Sequence, residues 1–401
     1  MALSEQERRV IADIGAQELI ELSRGLVAVP SETGNEGKCS ALVQDLMARV
    51  GMKVHGVEAE PGRPNAYGVL KGVGNGPSLQ LSAHLDTVPA GDRSRWQVDP
   101  YAGAVVDGKL FGRGAMDSKG GGVASAIVAL RALQRNGVRT RGDVYFVATV
   151  DEEVGGAAGM GFLARRGLLV ADYFLNCVHS DLEIKAHFKG VVRAVVTFLG
   201  ETAHGSTPHR GVNAAVVASR FVDRLMLAGM PSPPDPIMGR STVSLGWMST
   251  GVDRRFNVVA PRCEVGLDLR LSRNDPCGEV QQRLRDAVAA ACAEFPGANA
   301  EVVFPTARGC VSVPDDDRLL NQVRECARLA LGEAPPVTST ISTGDLTHVF
   351  ALGKRGIGFG PGDLDRGNAH KENEFLEVDQ LVAASRVYAV TIMRVCGVAQ
   401  D

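Results

Sequence analysis

Ser78-Leu79-Gln80-Leu81-Ser82-Ala83-His84-Leu85 has an apolar residue at every second position and a length that predicts a buried β-strand. Two later runs, Asp143–Val150 and Tyr173–Val178, have the same character. A helix opened by three glycines is predicted between the first two runs, at residues 120–136. Strands that alternate with helices indicate a mainly parallel sheet covered on both faces, so the predicted fold class is α/β.

The pattern changes in the middle of the chain. Its elements there follow the order strand, helix, strand, strand, helix, strand, which is the βαββαβ order of a ferredoxin-like domain. The predicted bounds are strand 191–199, helix 212–228, strands 241–249 and 256–271, helix 276–295 and strand 300–304.

The size of the chain also favours two domains. A chain of 401 residues, 45% of them hydrophobic, exceeds the usual extent of one hydrophobic core. The α/β pattern resumes near Cys310, so the second pattern is an insertion into the first. We expect one domain from residues 1–188 and 306–401, and an inserted domain from residues 189–305.

Charge and composition narrow the possible partners. The formal net charge is −3, which provides no basic field for nucleic acid or an anionic membrane. No run approaches the roughly 20 apolar residues that cross a membrane. The first 22 residues read as a charged amphipathic helix without an apolar signal core. The eight cysteines are scattered without a CxxC pair, so we expect free thiols and a reducing cytoplasm.

The first candidate site residues end the opening strand. His84 and Asp86 are two positions apart, so their side chains leave the same face of a strand. This spacing suits a metal-binding imidazole whose second nitrogen is held by a carboxylate. Open α/β sheets also place their sites at the carboxyl ends of strands. The alternative is a surface histidine beside a turn aspartate.

Three further segments carry possible metal ligands. Asp117 lies in Gly112-Arg113-Gly114-Ala115-Met116-Asp117-Ser118-Lys119-Gly120, where it could equally cap the following helix. Glu152 and Glu153 follow the second strand, and adjacent carboxylates repel one another unless a cation or water relieves them. His370 lies in Asn368-Ala369-His370-Lys371-Glu372-Asn373-Glu374.

Taken together, the four segments predict a metal site. Each follows a predicted strand or lies in a loop of the larger domain, and they supply imidazole and carboxylate ligands suited to zinc, manganese or cobalt. Other catalytic patterns are absent from the sequence: we find no GxSxG, no HExxH and no strand–GxGxxG–helix unit.

The segments HLDTVP, GRGAMDSKGG, DEEVGG and AHKENE resemble those of a family of metallo-amidohydrolases. This family contains glutamate carboxypeptidase, acetylornithine deacetylase, succinyl-diaminopimelate desuccinylase and aminoacylase. The likeness extends over nearly the whole chain, including the inserted domain. It is specific for the family and much less so for the substrate.

The resemblance implies a two-metal site. Asp117 would bridge the ions, His84 and Glu153 would bind different ions, and His370 would complete one of them. Asp86 would orient His84. The general base that activates water would be Glu152.

The resemblance also implies roles in the inserted domain, which mediates dimerisation in the family. His204, in Gly200-Glu201-Thr202-Ala203-His204-Gly205, matches a histidine that reaches the partner's active site to stabilise the oxyanion. Asn257 and Arg270 match positions that hold the substrate's carboxylate in some members. For Arg270 the alternative is an ordinary ion pair at a strand end.

One position departs from the family pattern. The family usually has Glu-Pro, or in some branches a histidine, just after the third strand, whereas this chain has Val178. Valine cannot bind a metal. His179 or Asp181 can substitute for the missing ligand if the loop shifts. Otherwise the second metal position lacks a ligand and is impaired. A neutral imidazole in place of a carboxylate would also weaken its hold on a hard dication.

Three functional hypotheses follow. The first is a cytoplasmic homodimer or higher homo-oligomer that uses one or two divalent ions per chain to hydrolyse a C–N amide bond in a small, carboxylate-bearing N-acyl or carbamoyl amino-acid-like substrate. The second is a hydrolytic deaminase of an aromatic amine such as an aminobenzoate, of the nitroanthranilate aminohydrolase type. The third is a non-catalytic small-molecule-binding homologue.

Overall fold

A computed structural model describes residues 2–251, 255–340 and 344–399. The described chain forms two compact units. The first contains residues 2–186, 313–338 and 344–399, and the second contains residues 187–251, 255–312 and 339–340. The sequence analysis placed the boundaries after residues 188 and 305.

The helices differ in length and in how far they are buried. Their bounds are α1 Glu5–Ala12, α2 Ala16–Val27, α3 Gly37–Arg49, α4 Ala124–Arg135, α5 Met160–Arg165, α6 Ala214–Ala228, α7 Cys277–Ala293, α8 Arg318–Leu331, α9 Leu346–Phe350 and α10 Val378–Cys396. The long α10 has buried residues on every turn and contacts α2, α4 and α8. In the described parts of the chain, every helix is too short or too polar to traverse a lipid bilayer.

The strands form three sheets. Their bounds are β1 Lys53–Glu58, β2 Pro64–Leu70, β3 Leu79–His84, β4 Ala104–Val106, β5 Lys109–Phe111, β6 Val144–Thr149, β7 Tyr173–Asn176, β8 Ile184–Phe188, β9 Gly190–Leu199, β10 Thr242–Thr250, β11 Arg262–Leu271, β12 Asn299–Arg308, β13 Val311–Ser312, β14 Val337–Thr340, β15 Gly356–Gly358 and β16 Phe375–Glu377.

The main sheet of the first unit has a parallel centre. Its order is β1-β2-β6-β3-β7-β15-β8, in which β3 runs parallel to β6 and β7, and β15 runs parallel to β7. The strands on either side of this centre pair antiparallel, as in β1–β2, β2–β6 and β15–β8. Every residue of β3 and β6 is buried, as expected for strands covered on both faces. The predicted α/β class with a mainly parallel sheet is confirmed.

The second unit contains the predicted βαββαβ order. Its elements β9, α6, β10, β11, α7 and β12 build an antiparallel sheet of order β10-β11-β9-β12. A separate hydrophobic core is formed by α6, α7 and the buried faces of β9 and β11. The predicted ferredoxin-like insertion is therefore confirmed.

Two predicted elements were wrong in extent. The strand predicted at 256–271 begins only at Arg262, because its partner β9 ends at Leu199 opposite Arg262 and Pro261 has no N–H to donate. The helix predicted over the first 22 residues is broken after Ala12, and α2 begins at Ala16. All eight cysteines are free thiols, and five of them are buried.

Candidate metal centre

The sheet topology brings two of the predicted segments together. Strands β3 and β6 are parallel neighbours, with His84 paired to Thr149 at their carboxyl ends. His84 is the last residue of β3, and Glu152 and Glu153 form a short 3-10 turn just after β6. Asp117 precedes a π-helical turn, Lys119–Val123, that leads into α4.

Asp117 is the centre of the cluster. Its Oδ1 lies 2.9 Å from His84 Nε2 and 3.2 Å from His179 Nδ1. Its Oδ2 lies 3.2 Å from His370 Nε2, which is also 3.1 Å from Glu153 Oε2. The potential metal-ligand atoms therefore fall into two groups, one around each oxygen of the buried Asp117 carboxylate.

These residues fit a divalent cation. Ligand atoms of His84, Asp117 and Glu153 all lie within 4.8 Å of one another. His179 Nδ1 is buried and has no hydrogen-bond partner among the described residues, although it lies close to Asp117. A buried nitrogen lone pair or N–H without a partner is unfavourable unless something else satisfies it. Imidazole and carboxylate donors together suit zinc, manganese or cobalt.

The electrostatics of the cluster favour positive charge. Burial alone would raise the pKa of Asp117, but His179, His370 and His84 hold it well below its usual range. Contacts with Asp117 and Glu153 raise the pKa of His370 to about 10. The carboxylates of the cluster thus favour positive charge beside them, and a bound cation would supply it.

Glu152 has the opposite shift. Burial, together with the nearby Asp345, Asp117 and Glu153, raises its pKa to about 8. Burial likewise raises the pKa of Asp345 to about 6. A carboxyl group with a pKa near neutrality can both accept and donate a proton.

The loop after β7 brings His179, not Asp181, to the cluster. Val178 precedes it and supplies no donor, as the sequence indicates. Asp181 instead accepts hydrogen bonds from Arg366 and Gln380. Of the two possible substitutes for the missing carboxylate, only His179 lies beside Asp117.

Asp86 holds the backbone of the next segment. Its Oδ1 accepts a hydrogen bond from the Glu152 N–H at 3.0 Å, and its Oδ2 accepts one from the Glu153 N–H at 3.1 Å. His84 Nδ1 lies 2.9 Å from the Asp86 main-chain oxygen and 3.5 Å from Asp86 Oδ1. Asp86 therefore contacts His84 chiefly through its carbonyl group, while its carboxylate orients the glutamate turn.

A second group of charged residues near the Glu152–Glu153 turn was not predicted from the sequence. Arg63 makes two hydrogen bonds to Glu36, at 2.7 and 2.9 Å, and a third to Asp151 Oδ1 at 3.0 Å. Asp345 accepts a 2.6 Å hydrogen bond from Thr149. Their partners lie far away in the sequence, so no local spacing could have revealed them.

In the second unit, His204 and Asn257 are adjacent. The Gly205 N–H donates to the Asn257 oxygen at 2.9 Å, and His204 forms a β-bridge with Val258. His204 is exposed, and its Nδ1 accepts from the Ser206 N–H at 3.2 Å. In the neutral imidazole, Nε2 then carries the proton and is available as a donor.

Arg270 forms an ion pair with Asp268 near the end of β11, which is the alternative to substrate binding that the sequence analysis left open. Its Nε donates to Asp268 Oδ1 at 2.7 Å and its Nη2 to Asp268 Oδ2 at 3.3 Å. Arg270 is partly exposed. Whether it also binds a substrate carboxylate stays a prediction.

The α/β sheet, the inserted domain and the imidazole–carboxylate cluster agree with the family resemblance that the sequence motifs indicate. Residues 80–394 match the model of peptidase family M20/M25/M40, and the chain belongs to this family. The family resemblance inferred from the sequence is confirmed by this match.

Curated relatives include several succinyl-diaminopimelate desuccinylases. The one from Methylobacterium sp. is 33% identical over 219 residues, which are 52% of this chain and 55% of that protein. The alignment thus spans about half of that relative. The one from Bradyrhizobium diazoefficiens is 27% identical over 398 residues, covering 94% of this chain and 99% of that protein.

Solved structures share the fold over nearly the whole chain. A tripeptidase from Staphylococcus aureus has a TM-score of 0.78 at 24% identity, covering 95% of this chain and 99% of that chain. Human carnosine dipeptidase 1 has a TM-score of 0.74 at 17% identity, covering 99% of this chain and 100% of that chain.

Proposed function

We propose that this protein hydrolyses the amide bond of a small N-acyl or carbamoyl amino-acid-like substrate that carries a carboxylate. The observation that carries the proposal is the buried Asp117 carboxylate with imidazoles at both of its oxygens and Glu152 in the adjacent turn. The desuccinylase names of the relatives and the peptidase names of the structural neighbours support this class of substrate.

The proposed ligands form two sets. His84, His179 and Asp117 Oδ1 would hold one cation, and Glu153, His370 and Asp117 Oδ2 would hold a second. Zinc, manganese and cobalt are the proposed ions, with one or two bound per chain. When bound, such ions polarise the carbonyl of the scissile amide and make water more acidic.

Glu152 would move the proton. It would accept a proton from the attacking water and donate it to the leaving nitrogen. A raised pKa suits this double role, because the same group must be a base in one step and an acid in the next. Asp86 would position Glu152 through the backbone N–H groups of the turn.

The second unit would supply the remaining contacts. The exposed His204 has its Nε2 available to donate to the oxyanion, and we propose that it acts across the interface of a cytoplasmic homodimer. Asn257 and Arg270 would hold the substrate carboxylate. Because Arg270 is already paired with Asp268, its share of the binding would be smaller than that of an unpaired arginine.

A hydrolysis screen tests the proposal. Metal-free protein would be supplied with manganese, zinc or cobalt and incubated with N-succinyl, N-acetyl and N-carbamoyl amino acids, dipeptides and aminobenzoates. We expect metal-dependent release of a free amino acid. Ammonia released from an aminobenzoate would favour the deaminase, and metal binding without any turnover would favour a binding protein. The Glu152→Gln variant controls for contaminating activity.

A further inference from the structure

A buried ion pair joins the two loops that carry Asp117 and His370. Arg113 Nη1 lies 2.6 Å from Glu374 Oε2, and the two side chains are 2% and 1% exposed. Neither residue was assigned a role from the sequence, although each lies inside a recognised motif. The two positions are 261 residues apart in the chain.

Glu374 organises the loop that ends in Asp117. Its Oε1 accepts hydrogen bonds from the N–H groups of Met116 at 2.9 Å and Asp117 at 3.1 Å. Its Oε2 accepts one from the Gly114 N–H at 3.2 Å, in addition to Arg113. One carboxylate therefore binds three backbone groups of this loop, including the amide of Asp117 itself.

Arg113 holds the other loop. Its Nη2 donates to the Lys371 oxygen at 3.0 Å, directly after His370. This loop has left-handed backbone conformations at Asn368, His370 and Asn373, which are uncommon for non-glycine residues although Asn and His adopt them more readily than most. The guanidinium carbon is also 5.5 Å from the ring centroid of Trp96, a cation–π contact that adds to these hydrogen bonds.

We propose that Arg113 and Glu374 are positioning residues that set the metal affinity of the centre by fixing Asp117 against His370. This inference rests on the proposed function only in assuming that the cluster binds cations. Hydrogen bonds from outside the ligand set commonly change metal affinity by about 10–100-fold when they are lost.

Glu374→Gln is the principal test. A glutamine amide keeps one acceptor oxygen and replaces the other with an NH₂ group, so one of the two donor sets loses its acceptor. Cobalt titration of metal-free protein, followed by visible absorption, would measure affinity without turnover. Because Asp117 belongs to both ligand sets, we expect both cobalt-binding steps to weaken by about 10–100-fold.

Arg113→Lys is the second test and decides the matter if Glu374→Gln does not fold. Lysine can pair with Glu374 but lacks the fork that also reaches the Lys371 oxygen. We expect only the step that involves His370 to weaken, by about 10-fold. The His370→Ala variant identifies that step in the titration.

Glu7→Gln is the matched control. Glu7 pairs with Arg394 in a largely buried salt bridge of 2.6 Å between α1 and α10, and its described side-chain hydrogen bonds are with Ser4 and Arg394. It should lower thermal stability and leave both cobalt affinities unchanged. If folded Glu374→Gln and Arg113→Lys bind cobalt within twofold of wild type, the positioning proposal is overturned. If wild type binds no cobalt, the proposed function itself fails.

Discussion

At the scale of single residues, Asp117 gathers opposite charge around a buried position. Only 5% of its surface is exposed, and burial of an unpaired carboxylate is strongly unfavourable. The protein offsets this with imidazoles at both oxygens, yet it places Glu152 nearby where its pKa is raised. Two carboxylates in one cluster thus have pKa values shifted in opposite directions, one suited to bind a cation and one to transfer a proton.

Separate substitutions of the two adjacent glutamates distinguish the role in proton transfer from the role in metal binding. Glu152→Gln should retain the fold and the metal and lose about 10²–10⁴-fold in kcat, because the proton acceptor is removed. Glu153→Gln should instead reduce metal content, because it contacts His370 in the ligand group. Kinetics and metal analysis on both variants would check this. A Glu152→Gln enzyme with nearly wild-type kcat would show that the base was assigned wrongly.

Substitutions in the loop after β7 test the unusual ligand. His179→Ala should lose one ion per chain on dialysis, because His179 is the donor that stands in for the missing carboxylate. Val178→Glu should bind that ion more tightly than wild type, since it restores a charged donor. Asp181→Asn is the control, because Asp181 faces Arg366 and Gln380. Equal metal content in wild type and His179→Ala would contradict the assignment.

At the scale of elements, the glycines before α4 let a helix lie directly on the main sheet. A Cβ atom on Gly122 would lie only 1.9 Å from the Cys177 oxygen that follows β7 and 3.2 Å from the Ala83 side chain on β3. This oxygen belongs to the backbone, so it cannot move aside as the end of a flexible side chain can. Position 122 therefore excludes every residue larger than glycine. The close approach brings the Asp117 loop to the carboxyl ends of the strands.

Gly122→Ala should therefore lower the free energy of unfolding by at least about 1–3 kcal/mol, because the helix must move off the sheet. Gly25→Ala in α2 is the control: no atom lies within 4 Å of its Cβ position. There alanine should stabilise the helix by about 0.5–1 kcal/mol. Urea unfolding would measure both. A Gly122→Ala protein as stable as wild type would disprove the packing argument.

The same elements show what could be predicted from the sequence. Apolar runs such as Val144–Thr149 identified the buried strands, because strands covered on both faces need no polar side. The strand predicted from residue 256 failed, since its extent depends on where β9 ends. Arg113 and Glu374 lay within recognised motifs, but their purpose depends on a contact across 261 positions, which local spacing does not encode.

At the scale of the whole molecule, the chain separates its proposed functions between two units. The proposed metal ligands and Glu152 lie in the first unit, whereas His204, Asn257 and Arg270 lie in the second. Each unit has its own hydrophobic core. The proposed role of His204 leaves two cases, action in its own chain and action in a partner copy.

Mixing two inactive variants distinguishes these cases. If His204 acts across a homodimer interface, His204→Ala and Glu152→Gln protomers should regain part of the activity when combined, because one site in each hybrid dimer is intact. Activity should rise towards about a quarter of wild type when subunits exchange randomly in equal amounts, since half of the dimers are hybrids with one of two sites intact. Absence of rescue after demonstrated subunit exchange would place His204 within its own chain.

The insertion also sets an order of events during translation. A ribosome completes His84, Asp117, Glu153 and His179 before it begins the continuous segment of the second unit, and His370 comes only afterwards. About 190 residues lie between His179 and His370, which take about 10–40 s at the usual rate of about 5–20 residues per second. During that interval the nascent chain can fold the inserted unit, because its core is almost contiguous in sequence. The first unit must wait for His370 and for α10, so it acquires its full set of proposed ligands only after the inserted unit has been synthesised.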